Sequence, residues 1–151
     1  MSHLKIGEKA PPFKTTDHTG QPVQLKDFKG KKVILYFYPK DLTSTCTVQA
    51  CNLRDHYKVL LKKGYVVLGV SADDQETHQK FIKKNQLPFP LLLDTAHQLA
   101  AAYGVWGEKK MYSRTYMGIH RTTFVIDENG KIAHLITKPK SSIHAQEILS
   151  L

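Results

Sequence analysis

The stretch Lys32-Val-Ile-Leu-Tyr-Phe-Tyr38-Pro39-Lys-Asp-Leu-Thr43-Ser-Thr-Cys46-Thr-Val-Gln49-Ala-Cys51 changes its hydrophobic period midway. Lys32 to Tyr38 is a nearly unbroken run of apolar β-formers, the pattern of a strand covered on both faces. Pro39 ends it. From Thr45 to Lys63 the apolar positions Cys46, Ala50, Leu53, Tyr57 and Leu60 recur at steps of three and four, which predicts a helix. Thr43 and Ser44 are candidate N-caps, and Gly64 marks the stop. A strand feeding a helix through a short loop is the unit of an α/β fold.

Working outward, Phe13–Thr16 and Val23–Leu25 flank Asp17-His-Thr-Gly20 and predict an N-terminal β-hairpin. Tyr65–Ser71 reads as a second buried strand and Gln75–Asn85 as a helix opened by Asp73-Asp74. Leu87–Leu93 reads as a turn feeding a short strand, and Thr95–Tyr103 as a short helix. Gly104–Gly118 has little periodicity and reads as a loop. Thr122–Ile126 and Lys131–Ile136, joined by Asp127-Glu-Asn-Gly130, predict a hairpin with an Asn-Gly turn, and Ser141–Leu151 a closing helix. The expectation is one domain over residues 1–151, with a central mixed sheet flanked by helices, an order that suits a thioredoxin-like fold.

Composition narrows the function. At 151 residues, 41% hydrophobic and 23% charged, the chain has the makeup of a folded domain. No run approaches the roughly 18 apolar residues of a membrane span, and the N-terminus lacks the apolar centre of a signal peptide, so no membrane and a cytoplasmic location are expected. The net charge of +9 invites a nucleic-acid reading. Its lysines, however, are spread in short pairs beside turns and helix ends, and helix-turn-helix, zinc-finger and RNA-binding aromatic signatures are missing, so no nucleic acid is expected. The basic surface could instead steer an acidic protein partner.

Cys46 and Cys51 are the only cysteines. A buried cysteine is commonly a small core residue, and Cys46 does lie on the apolar face. Its place in a first helical turn argues for reactivity, because free N–H groups and the helix dipole favour an anion there. In a reducing compartment a transient, catalytic disulfide is more plausible than a permanent one. Residues i and i+5 of a regular helix lie roughly 140° apart, with Cα atoms about 8–9 Å apart. A disulfide needs about 7 Å or less, so the two cysteines can bond only if the first turns unwind. Metal binding fits poorly: the eight histidines show no paired spacing and read mostly as surface residues.

The segment Pro39-Lys-Asp-Leu-Thr43-Ser-Thr-Cys46 resembles the P-x-x-x-T-x-x-C motif of peroxiredoxins. Cys51 five residues on, Tyr103-Gly-Val-Trp-Gly-Glu-Lys and Met117-Gly-Ile-His-Arg121-Thr-Thr-Phe-Val-Ile-Asp127 make the chain similar to the bacterioferritin comigratory protein (Q-type) subfamily. The resemblance implies a thiol peroxidase of the atypical two-cysteine kind, acting on hydrogen peroxide and organic hydroperoxides. Cys46 would be the peroxidatic nucleophile and Cys51 the resolving thiol, recycled as an intramolecular disulfide by thioredoxin or a similar dithiol. No cofactor or metal is implied, and a monomer suffices for intramolecular resolution.

Each supporting residue also has a physical task. Arg121 carries a fixed charge that can hold a thiolate and the peroxide oxygens. The Thr43 hydroxyl can cap the helix and orient the peroxide, Pro39 can shield the sulfur, and the amides near Thr45 and Cys46 can complete an anion pocket. Two features depart from the family pattern. Ser44-Thr45 stands where Pro-Gly is common, and Gln49 where Glu is usual, so the arginine is expected to be held by an amide, more loosely than by a carboxylate. Two rival readings remain: a thiol-disulfide oxidoreductase on the same fold, which C-x4-C argues against, and a basic binding protein whose cysteines are inert.

Overall fold

A computed structural model describes residues 2–151. The run Lys32-Val-Ile-Leu-Tyr-Phe becomes strand β3 (Lys32–Phe37), after β1 (Lys14–Thr16) and β2 (Pro22–Gln24). It lies at the centre of a five-stranded sheet with β4 (Tyr65–Ser71), β5 (Leu91–Leu93), β8 (Thr122–Ile126) and β9 (Ile132–Ile136), in the order β5-β4-β3-β8-β9. β3 pairs in parallel with β4 and antiparallel with β8, so the sheet is mixed, as expected. Its odd residues, Val33, Leu35 and Phe37, enter one hydrophobic core, and its even residues, Ile34 and Tyr36, the other. This two-sided burial is why the strand shows no polar alternation.

One core lies under α1 (Ser44–Asp55), α2 (Tyr57–Lys62), α3 (Gln75–Asn85) and α5 (His144–Leu149). The other is closed by the β1–β2 hairpin and α4 (Gln98–Ala102), through Phe13, Val23, Leu99 and Ala100. The predicted terminal hairpin is present: Asp127 Oδ1 accepts from the amides of Asn129 and Lys131, and Gly130 takes φ 79° at the turn. Asp94 reaches across to accept from the amides of Leu99 and Ala100, which fastens the start of α4 later than the expected Thr95.

Three expectations need correction. The single helix over 45–63 is two, because at His56 the ring Nδ1 lies 2.9 Å from the Asn52 carbonyl oxygen and the backbone leaves helical geometry. The segment read as a loop, 104–118, carries a hairpin of β6 (Trp106–Met111) and β7 (Arg114–Ile119), turned through Tyr112 at φ 58°. Its strands are mostly solvent-facing, so no apolar alternation betrays them. The last helix begins with a 3₁₀ turn, Ser141–Ile143, before α5. Among the described residues, no helix is long and apolar enough to cross a membrane.

Candidate active site at the mouth of α1

The parallel β3–β4 pair ends at Phe37, and the chain passes through Pro39–Thr43 into α1 at the C-terminal edge of the sheet. The first i→i−4 bond of α1 runs from the Thr47 amide to the Thr43 carbonyl, 2.9 Å. The amides of Ser44, Thr45 and Cys46 therefore precede the helical ladder and face out of its mouth. Thr43 occupies the N-cap position, but its side chain does not cap. Its hydroxyl donates instead to the Lys40 carbonyl, 2.8 Å away, and ties the loop to itself.

Cys46 packs against the helix-side core with Tyr36, Tyr38 and Ala50 and is 2% exposed. It is nevertheless in contact with a cation: Arg121 Nη2 donates to Cys46 Sγ over 3.2 Å. Arg121 Nη1 donates to Gln49 Oε1, 2.5 Å, from the next turn of the same helix. The neutral amide thus reaches the arginine, while Gln49 Nε2 is buried without a partner. Lys109 of β6 adds a second cation, its Nζ donating to the Ile119 carbonyl. Burial, then repulsion from Arg121, lowers its pKa, against an opposite pull from the Cys46 sulfur.

Both cysteines lie on α1 and both are free. Cys51 is half-buried and faces α3, its Sγ 3.7 Å from Asn85 Oδ1. The helix is fastened unevenly. Asn52 accepts from the Ala145 amide and donates to the Ser142 carbonyl and Gln146 Oε1, and Arg54 donates to the Asn85 carbonyl. In the first half, by contrast, Ser44, Thr45 and Val48 are exposed. The half that carries Cys51 is tied to α5 and to the end of α3, whereas the half that carries Cys46 is held through the contacts of Cys46 and Gln49 with Arg121.

Of the residues singled out in the sequence, Cys46 and Arg121 meet directly, and Cys51 stands on the same helix. Pro39 and Thr43 bound the loop. Sequence reasoning gave no role to Lys109, although it closes the quoted Tyr103-Gly-Val-Trp-Gly-Glu-Lys segment, and missed Asn52, which carries no motif. Two histidines are exceptions to the mostly-surface reading: His78 and His144 are fully buried. His144 Nε2 pairs with Thr123 Oγ1 and Nδ1 with Glu147, and burial keeps its pKa below the usual histidine value. Asp41, Asp73 and His78 bring their ligand-type atoms within 4.8 Å of one another, but Asp41 and His78 bond to each other and Asp73 accepts from the Asp41 amide and Ser71 hydroxyl. An apolar cleft of about 230 Å³ between Leu25, Phe28, Val33 and Ile126 lies at the other end of β3 from Cys46.

A loop that delivers a cysteine to a helix mouth, under an arginine placed just ahead of the neighbouring strand β8, defines a class of thiol enzyme. Residues 6–135 match the AhpC/TSA family, and the chain belongs to it. It is 47% identical over 150 residues to peroxiredoxin Bcp of Escherichia coli K12, covering 99% of this chain and 96% of that protein. It is 45% identical over 146 residues to peroxiredoxin Bcp of Bacillus subtilis 168, covering 97% and 93%. Among solved structures, a cysteine mutant of PrxQ from Xylella fastidiosa superposes with a TM-score of 0.93 at 30% identity, over 99% and 96% of the two chains. Peroxiredoxin Q of Xanthomonas campestris does so at 0.87 and 30%, over 99% and 94%. The fold is thioredoxin-like, and the enzyme is a peroxiredoxin of the Bcp/PrxQ kind, a thiol-dependent peroxidase.

Proposed function

We propose that Cys46 is the peroxidatic cysteine and Cys51 its resolving partner, within one domain spanning residues 1–151. The single observation that carries this reading is the 3.2 Å contact of Arg121 with Cys46 Sγ at the mouth of the helix that also holds Cys51. The Cys46 thiolate attacks the terminal peroxide oxygen, the O–O bond breaks, and the departing oxide leaves with a proton as water or an alcohol. Arg121 and the open amides of the first turn face the charge that develops on those oxygens. Thr43 orients the peroxide, and Pro39, which brings no backbone donor, shields the sulfur from water.

Cys46 is left as a sulfenic acid. Because a regular helix holds residues 46 and 51 too far apart for a bond, the first turn unwinds and Cys46 travels to the anchored Cys51. The S–S bond forms as water leaves. Thioredoxin or a similar dithiol then reduces the disulfide, restoring both thiols and becoming oxidised itself. Hydrogen peroxide and small organic hydroperoxides are the substrates, and the protein works as a cytoplasmic monomer without cofactor, metal or nucleic acid. The test is a non-reduced digest after one equivalent of hydrogen peroxide, read by mass spectrometry. A Cys46–Cys51 bridge is the expected product; an over-oxidised Cys46 beside a free Cys51 would remove the resolver assignment.

A further inference from the structure

His78, on α3, is fully buried, with both ring nitrogens occupied. Nε2 lies 2.9 Å from the Leu92 carbonyl oxygen, and Nδ1 lies 2.6 Å from Asp41 Oδ2. A carbonyl oxygen only accepts, so Nε2 carries a hydrogen. A second hydrogen must lie between Nδ1 and Oδ2, whichever atom owns it. The other Asp41 oxygen accepts from the Tyr38 hydroxyl, 2.5 Å, and the Asp41 amide donates to Asp73 Oδ2, 2.8 Å. Asp73 in turn accepts from the Ser71 hydroxyl. Asp41 is thus fastened to the end of β3, to the end of β4 and, through His78, to α3 and β5. His18 and Asp74 are the other charged or titratable neighbours of the imidazole.

This network lies directly beneath the loop that enters α1. The next residue, Leu42, has φ 65°, a left-handed conformation that a β-carbon disfavours. Its own side chain is 43% exposed and gives it little support, so the conformation must be imposed from its neighbours. Asp41 is the buried residue of that loop. We propose that His78 and Asp41 are positioning residues for Cys46, the hydrogen they share holding the Pro39–Thr43 loop in the shape that presents Cys46 to Arg121. They touch no reacting atom. Their task ends when the sulfenic acid forms, since the first turn then has to leave that shape.

The inference rests on Cys46 being the peroxidatic residue, and it predicts a split between two steps measured on the full chain. Cys46 oxidation is read by competition with a haem peroxidase for limiting hydrogen peroxide, and disulfide formation by acid quench and alkylation. His78→Phe is expected to slow oxidation by about thirtyfold, as misplacement of a reacting group does, with disulfide formation unchanged or faster. His78→Asn, which keeps a donor near the position of Nδ1, is expected to recover oxidation to within about fivefold of the parent. A folded His78→Phe that oxidises at the parent rate, or that slows both steps by the same factor, would overturn the proposal. If His78→Phe does not fold, Tyr38→Phe decides: loss of one donor to the same carboxylate should slow oxidation alone by about threefold, and an unchanged rate overturns it. A parent protein that fails to compete at all would instead defeat the peroxidatic assignment, which keeps the two failures apart.

Discussion

Arg121 and Cys46, 75 residues apart in sequence, meet through a single Nη2–Sγ contact of 3.2 Å, and the other arm of the same guanidinium is spent on Gln49. The planar fork matters as much as the charge. A lysine at 121 could reach the sulfur or the amide, but not both in one geometry. Arg121→Lys is therefore expected to slow Cys46 oxidation by at least about tenfold with little change in melting temperature, as measured by peroxide competition and thermal unfolding.

Gln49 is the position where the arginine was expected to be loosely held. The short contact from Arg121 Nη1 shows that the amide already engages it. Gln49→Glu should then leave Cys46 oxidation within about threefold of the parent. A larger acceleration in the same assay would mean that the neutral amide does hold the guanidinium loosely.

Cys51→Ser separates the two thiols. The variant should consume about one peroxide per chain and then stall with thioredoxin as donor, with Cys46 passing to sulfinic acid under excess peroxide. Normal cycling with thioredoxin would show that something other than Cys51 resolves the sulfenic acid. Peroxide consumption and intact-mass spectra decide it.

Asn52 fastens the second half of α1 to α5 by accepting from the Ala145 amide. Asn52→Ala removes that cap and the two donor contacts, at an expected cost of about 1–2 kcal/mol in chemical denaturation. The disulfide step should slow, because Cys51 loses its fixed support, while Cys46 oxidation stays at the parent rate.

His78 gives the fold a pH dependence whose sign can be worked out. Burial alone would lower its pKa, but the hydrogen bond and charge of Asp41, the Leu92 carbonyl and Asp73 outweigh it and raise the folded value above 6.5. The folded chain then holds the proton more tightly than the unfolded one, so stability falls as pH rises. The His78 contribution is complete below about pH 6.5 and is lost as the pH climbs through the higher folded value. The difference in melting temperature between the parent and His78→Asn should be largest below pH 6.5 and shrink in alkali. A difference that grows with pH would reverse the assignment.

The parts of this molecule that were legible in its sequence are those whose burial follows a period. β3, β4 and the first half of the α1 region announce themselves because each buries an uninterrupted or three-and-four-spaced apolar set. The cysteines and Arg121 were legible through their motifs. The β6–β7 hairpin was not, since Glu108, Lys110, Arg114, Thr115 and Tyr116 face solvent and its ladder is a backbone affair. The Asp41–His78 pair was equally hidden: its members stand 37 residues apart, and a buried polar pair leaves no periodic trace. Sequence shows what each element must cover, whereas a polar partnership between distant elements exists only once they have docked.

Arg121 immediately precedes β8, whose antiparallel ladder sets Thr122 opposite Phe37 and Thr123 opposite Tyr36. Since alternate residues of a strand point to opposite faces, a slip of a single position would send the guanidinium to the far side of the sheet. Alignment between two strands nearly ninety residues apart thus acts as a proofreading step on reactivity. A chain that has not closed this ladder lacks the Arg121–Cys46 contact, and under the proposed role of Cys46 its sulfur would meet peroxide only as an ordinary thiol does.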